Sequence, residues 1–157
     1  IISFISLFVV YILLPRIDII VYSLPNPYNW IILSFQFISL FGFVWSAKYF
    51  SAGEFFGFNQ IKRLSEGMYK SIDLDENSTL RIEGPYKYSR HPVYFFSIMV
   101  LVLRIQMSLT YFIIVVIFVL YFYIGSIFEE KRLIEKFGEV YISSQKSVPR
   151  IFPIKMF

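Results

Sequence analysis

From Thr110 to Phe128 the chain carries no charged side chain. That run is close to the roughly 20 apolar residues a helix needs to cross about 30 Å of hydrocarbon. A small soluble domain buries too little surface to hide such a segment along with the other apolar runs present here. Composition points the same way. Of 157 residues, 57% are hydrophobic, 21% aromatic and only 17% charged, against about 45–50% apolar and about 25% charged in soluble domains. Mean hydropathy is +0.62. A disordered chain is excluded, and the class that remains is an integral membrane protein.

Four segments qualify as spans or come close: Ile1–Leu24, broken by Pro15, Arg16 and Asp18; Trp30–Phe50, with Lys48 placed to snorkel; Pro92–Ser108, with Arg104 and Gln106 near its far end; and Thr110–Phe128. The first reads either as one kinked helix or as a truncated helix followed by an interfacial stretch. The last two are nearly contiguous and predict a tight antiparallel hairpin. The expected fold is all-α: an integral membrane helical bundle of about four transmembrane helices, with a C-terminal helical hairpin and a cytoplasmic C-terminal helix. It reads as one domain, 1–157. Within it, 1–50 holds the N-terminal spans, 51–91 a cytoplasmic loop, 92–128 the hairpin and 129–157 the C-terminal helix and tail. The acidic, turn-rich Ser71–Ser78 reads as an exposed part of the loop. The chain opens on Ile1 rather than Met, which suggests lost N-terminal residues; a basic n-region and a small-residue cleavage site are missing, so no cleavable signal peptide is expected.

The hairpin puts the loop and the tail on one side of the membrane. Of the fifteen Lys and Arg, the loop with Lys48 carries seven and the tail six, leaving Arg16 and Arg104 for the short connections. The positive-inside rule then makes loop and tail cytoplasmic. With no cysteine and a single histidine, His91, disulfides, thiolate metal sites, cysteine nucleophiles and multi-histidine metal centres are ruled out. Neither a metal nor a nucleic-acid partner is expected.

The stretch with chemical content is Gly84–Tyr94, GPYKYSRHPVY, where the loop enters the third segment. Pro92 suits the first helical turn. The residue before a proline avoids helical geometry, so His91 falls at the helix boundary. Tyr94 follows three positions later on nearly the same face. The result is a helix N-terminus flanked by Arg90, His91 and Tyr94, a setting that attracts anions. Directly after the fourth segment stands the pair Glu129–Glu130, costly at a membrane edge unless partnered, and the hairpin returns it to the level of His91. Both features also have plainer accounts: a Tyr/Arg/His cluster anchors a helix at the interface, and Glu129–Arg132 and Lys131–Glu135 make local ion pairs.

These residues carry a resemblance. GPYKYSRHPVY, a hydrophobic hairpin and then EEKRLIEKFGEVYISSQKSVPRIFP resemble the isoprenylcysteine carboxyl methyltransferase and phospholipid methyltransferase group, over about Thr79 to Pro153. The ordered blocks are G-x-Y, R-H-P-x-Y, E-E, F-G-x-x-Y and V-P-R-x-x-P. Upstream, Gly53–Gln60 is similar to a G-x-x-Q box in a bacterial branch related to methanethiol S-methyltransferase and to proteins associated with nitric-oxide metabolism. The resemblance implies an integral membrane enzyme that uses S-adenosyl-L-methionine and methylates a lipid-like or small apolar acceptor: a thiol, a prenylcysteine carboxylate or a phospholipid amine. Carried over by position, it implies cofactor contacts at Tyr86, at His91, Pro92, Val93 and Tyr94, and at Glu129, with mostly backbone contacts across Ser78–Arg81, Leu80 among them. No catalytic residue is assigned; His91 and Arg90 are the candidates, His91 as the base if the acceptor is a thiol.

Three departures matter. Phe96 stands where the family's H-P-x-Y-x-G has glycine. Gly125 stands where the prenylcysteine branch has a substrate-contacting arginine, which argues against a carboxylate acceptor unless Arg90 or Arg104 substitutes. The N-terminal half is short. Two other readings stay open: a sterol-reductase-like NADPH-dependent oxidoreductase, whose R-H-x-N-Y-x-G-D segment differs here at Val93 and at Phe95–Ser97, and a non-catalytic membrane protein.

Overall fold

The computed structural model describes residues 19–49, 58–67, 80 and 82–154. Among them the chain is mostly helical, with one small ribbon. In order come β1 (Ile20–Ser23), α1 (Tyr28–Ala47), α2 (Phe58–Ser65), a 3-10 turn (Gly84–Lys87), α3 (Pro92–Val102), β2 (Gln106–Ser108), α4 (Leu109–Phe137) and α5 (Glu139–Ser147).

Two of these helices, α1 and α4, are long and apolar enough to cross a membrane, with hydropathies of 1.7 and 2.5. Only 17% of the apolar window of α1 and 11% of that of α4 is buried in the protein. The core helix of a soluble domain is covered on most sides, whereas these leave large side chains such as Phe35, Phe41, Ile117 and Leu120 exposed. Surface of that kind calls for lipid.

The second and fourth predicted segments match α1 and α4 closely at their starts. The fourth differs at its end. No break separates a membrane helix from the tail helix at Glu129; α4 runs on to Phe137, and α5 begins beyond Gly138. Nothing between Phe128 and Phe137 interrupts helical bonding, since Glu, Lys, Arg and Leu are all good helix formers.

The outer segments depart further from expectation. Residues 1–18 and Ser71–Ser78 lie outside the described residues. Ile20–Ser23 is a strand, so no helix continues to Leu24. The third segment is helical only to Val102, and Gln106–Ser108 pairs antiparallel with β1: Ile20 opposes Ser108, Tyr22 opposes Met107 and Ser23 opposes Gln106, with an irregularity between Ile20 and Tyr22. The all-α expectation therefore misses this ribbon. Its cause is local. Ile20, Val21 and Tyr22 favour extended backbone, Pro25 and Pro27 bar a helix across the turn, and each strand completes the other's hydrogen bonds. Leu24 N–H reaches Ile105 O at 3.0 Å and Leu109 N–H reaches Ile19 O at 2.8 Å. Met107 is buried beneath the ribbon. Next to it, the Ser108 hydroxyl caps α4 by accepting from Tyr111 N–H at 3.3 Å.

α1 packs chiefly on α3. The closest approach is at Gly42, where an added Cβ would overlap the ring of Phe96. Phe96, where the H-P-x-Y-x-G pattern of the resembled family has glycine, is thus accommodated by a glycine on the facing helix. α3 and α4 lie side by side and run in opposite directions: Tyr111 O–H donates to Leu101 O at 3.0 Å near one end, and Tyr94 O–H to Glu129 Oε2 at 3.0 Å near the other. The buried residues Tyr141, Val148 and Ile151 bring α5 and the tail against that second end.

Candidate functional site

The loop enters α3 through the 3-10 turn at Gly84–Lys87. Gly84 has φ +59°, and its missing Cβ makes room for Tyr49, whose ring atoms would lie 2.6 Å from one. Tyr49 also meets Tyr86 edge-on, with ring centroids 6.4 Å apart. Next comes Ser89, 2% exposed, whose hydroxyl donates to Ile151 O at 2.7 Å. His91 is the N-cap of α3, with φ −123° and ψ 64°, and Pro92 is the first helical residue. Both agree with the boundary predicted from the His-Pro pair.

The C-terminal tail closes over this entry. Arg90 N–H donates to Pro149 O and His91 N–H to Arg150 O, both at 3.0 Å. With these bonds the segment Val148–Ile151 lies along Ser89–His91.

His91 is 5% exposed and sits between two carboxylates. Nδ1 lies 3.3 Å from Glu129 Oε2 and Nε2 lies 3.3 Å from Glu130 Oε1. Its ring stacks on Tyr94 at 5.2 Å and 11°, and Tyr94 stacks in turn on Phe122 of α4 at 5.1 Å. Burial opposes a charge on this imidazole. The hydrogen bonds and negative charges of Glu129 and Glu130 outweigh that cost and hold its pKa above the ordinary value.

The structure therefore brings Tyr94, His91 and Glu129 into direct contact. Pro92 and Val93 form the first turn of α3 beside them, Pro92 buried and Val93 half-buried. Tyr86 is half-buried one turn of chain away, and Leu80 is half-buried with both its neighbours outside the described residues. Arg90, the other catalytic candidate, is charge-paired with Glu130, its Nη2 2.9 Å from Oε1, while its buried Nε has no hydrogen-bond partner among the described residues. Arg104 lies at the opposite end of α3, its Cζ 4.7 Å over the ring of Tyr111. An 11-residue helix separates it from His91, about 16 Å at 1.5 Å per residue. Neither arginine stands ready to replace the one missing at Gly125.

Sequence reasoning paired Glu129 with Glu130 but gave Glu130 no partner of its own. It is 2% exposed. Besides Arg90 and His91 it receives Arg150 Nε at 3.1 Å, Arg150 Nη2 at 3.0 Å and Gln145 Nε2 at 3.0 Å. The local pair Glu129–Arg132 is not the main engagement of Glu129, which turns to His91 and Tyr94. A signal was present. Adjacent residues on a helix point about 100° apart, so two glutamates in a row could not both face one ligand.

Comparison with known protein families gives one finding. Residues 71–140 match the family model of phospholipid methyltransferase. The suspected resemblance to that group is borne out over this stretch. The phospholipid methyltransferase match takes in the His91 boundary, the whole of α3 and both glutamates of α4, and it stops before Gln145 and Arg150. No curated protein and no solved structure matches the chain. The phospholipid methyltransferase match is to a methyltransferase family, and beside it stand two helices, α1 and α4, that are apolar, largely uncovered and long enough to cross a membrane.

Proposed function

We propose that this chain is a multi-pass membrane methyltransferase that takes its methyl group from S-adenosyl-L-methionine and delivers it to a lipid-like or small apolar acceptor. The observation that carries the reading is the His91–Tyr94–Glu129 contact at the rim where α3 begins, inside the matched stretch.

The donor set suits such a cofactor. Glu129 is a carboxylate with 40% of its side chain exposed, able to receive an ammonium. The first-turn N–H groups of α3 suit a carboxylate. Tyr86 supplies an aromatic face of the kind that attracts a sulfonium, and Tyr94, its ring stacked on His91 and Phe122, offers its edge and hydroxyl beside Glu129. Leu80, Pro92 and Val93 would line the same wall. The cofactor, when bound, supplies an activated methyl group for in-line displacement. The chain's own part is holding and orienting, worth up to about 7–11 kcal/mol in effective concentration. His91 would act as the base for a thiol acceptor only after giving up a proton and one of the carboxylates that now face its two nitrogens.

The acceptor class follows from charge. A carboxylate substrate wants a cation with free donors. Arg90 and Arg150 are engaged with Glu130, and Arg104 is at the far end of α3. This supports a thiol or a phospholipid amine over a prenylcysteine carboxylate. We further read α3 and α4 as a membrane hairpin within a bundle of about four spans, with the loop and the tail in the cytoplasm.

The test is binding of adenosylhomocysteine to the full chain in lipid nanodiscs, followed by incubation with labelled methyl donor and panels of thiols, phospholipids and prenylcysteines. The wild type binds, and Glu129→Gln weakens binding about tenfold or more, the loss of a charge-assisted hydrogen bond worth about 1.5–3 kcal/mol. Equal affinity in both proteins would remove Glu129 from the site. Binding of NADPH instead would overturn the methyltransferase reading.

A further inference from the structure

The two neighbouring glutamates differ in their surroundings. A carboxylate accepts at about four lone-pair positions. Glu130, with 3% of its side chain exposed, is surrounded by donors from Arg90, His91, Gln145 and two nitrogens of Arg150, all within 3.3 Å. Gln145 and Arg150 take its Oε2, while Oε1 faces Arg90 and His91 as charge partners, deep enough that this chain's own cations surround it. Glu129 is 40% exposed; it meets His91 and Tyr94, with the charge of Arg132 nearby.

His91 consequently has a carboxylate oxygen 3.3 Å from each ring nitrogen, as well as its stack on Tyr94. Both nitrogens lie off the Cβ–Cγ axis, so turning the ring about that bond would draw each of them away from its carboxylate. The second grip depends on the tail, because Gln145 and Arg150 hold the Glu130 carboxylate while Pro149 O and Arg150 O take the backbone N–H groups of Arg90 and His91.

We propose that Glu130, together with Gln145 and Arg150 of the C-terminal segment, is a positioning residue: it fixes His91 from the Nε2 side and leaves Glu129 as the carboxylate presented to the methyl donor. The donor half of this statement rests on the function proposed above; the fixing of His91 does not. The groups facing His91 are Glu129 and Glu130 from α4, Tyr94 from α3, Arg90 beside it, and Arg150 and Gln145 from the tail.

Because His91 is the single histidine, 15N-histidine labelling of the full chain in nanodiscs gives one pair of ring signals to follow. In the wild type both nitrogens keep their protons to a higher pH than in a free imidazole. In Glu130→Gln the Nε2 signal moves and the titration midpoint falls by about one pH unit or more, as expected on losing an adjacent opposite charge. Arg150→Met, on a residue 33% exposed at its side chain, moves Nε2 while sparing Nδ1, and it serves if Glu130→Gln does not fold. Arg150→Lys restores part of the wild-type position. For adenosylhomocysteine, Glu130→Gln keeps affinity within about threefold, while Glu129→Gln loses about tenfold. Ring signals unchanged in both Glu130→Gln and Arg150→Met overturn the positioning role. Loss of adenosylhomocysteine binding in Glu130→Gln with retention in Glu129→Gln overturns the division between the glutamates. If the wild type itself fails to bind adenosylhomocysteine, the methyltransferase reading falls and the ring signals still decide the role of Glu130.

Discussion

At the scale of single residues, the charge state of His91 decides most. Burial works against its protonation, and two carboxylates work for it more strongly, so its pKa in the folded chain lies above the value near 6.5 it has when unfolded. A raised histidine pKa means that the folded state binds the proton more tightly. The resulting stabilisation is fully present below about pH 6.5 and is lost as pH rises through the folded-state value. We expect the melting temperature in nanodiscs to decline across that window and the decline to vanish in His91→Gln, measured by thermal scans at a series of pH values. A wild-type profile flat through the same window would contradict the double carboxylate grip. Much of this site was legible beforehand. The His-Pro boundary, the i,i+3 relation of His91 to Tyr94 and the return of Glu129 all follow from spacing. The partners of Glu130 did not, because Gln145 and Arg150 reach it through a turn of chain whose direction no periodicity encodes.

At the scale of elements, the α1–α3 contact shows how a departure from a motif is absorbed. Phe96 fills the space that a glycine would leave, and Gly42 yields the space that Phe96 takes. Gly42→Ala should cost about 1–3 kcal/mol through overpacking, read as reduced resistance to unfolding in mixed detergent. Combining it with Phe96→Gly should recover part of that loss, since contacting residues are non-additive. Strict additivity would show that the two positions do not touch. The helical elements themselves were readable from their apolar runs and their Pro boundaries. The ribbon was not. Ile, Val and Tyr serve a membrane helix and a strand equally well, and only the pairing of Ile20–Ser23 with Gln106–Ser108, across more than eighty positions, chooses between them.

At the scale of the whole molecule, charge distribution and helix direction combine into an orientation. Lys87 lies at the His91 end of α3, and the exposed Asn26 lies before the start of α1, whose other end reaches Gly84 through Tyr49. The sequence has no cysteine, so single substitutions can be labelled without background. In the orientation proposed above, Lys87→Cys should react with an impermeant thiol reagent from the cytoplasmic side of membrane vesicles and Asn26→Cys from the opposite side. Reaction of both from one side would contradict a bundle in which α1, α3 and α4 cross together.

The brevity of α3 carries a consequence of its own. Its 11 residues reach about half as far as the hydrocarbon slab is deep, so in the proposed membrane hairpin the remaining distance falls to Leu103–Ile105 and the extended β2. Backbone of that kind tolerates the acyl region only where its hydrogen bonds are already met, which the β1 partner provides. Lipid chain length thus presses on the ribbon rather than on the imidazole end, where the chemistry is proposed to lie.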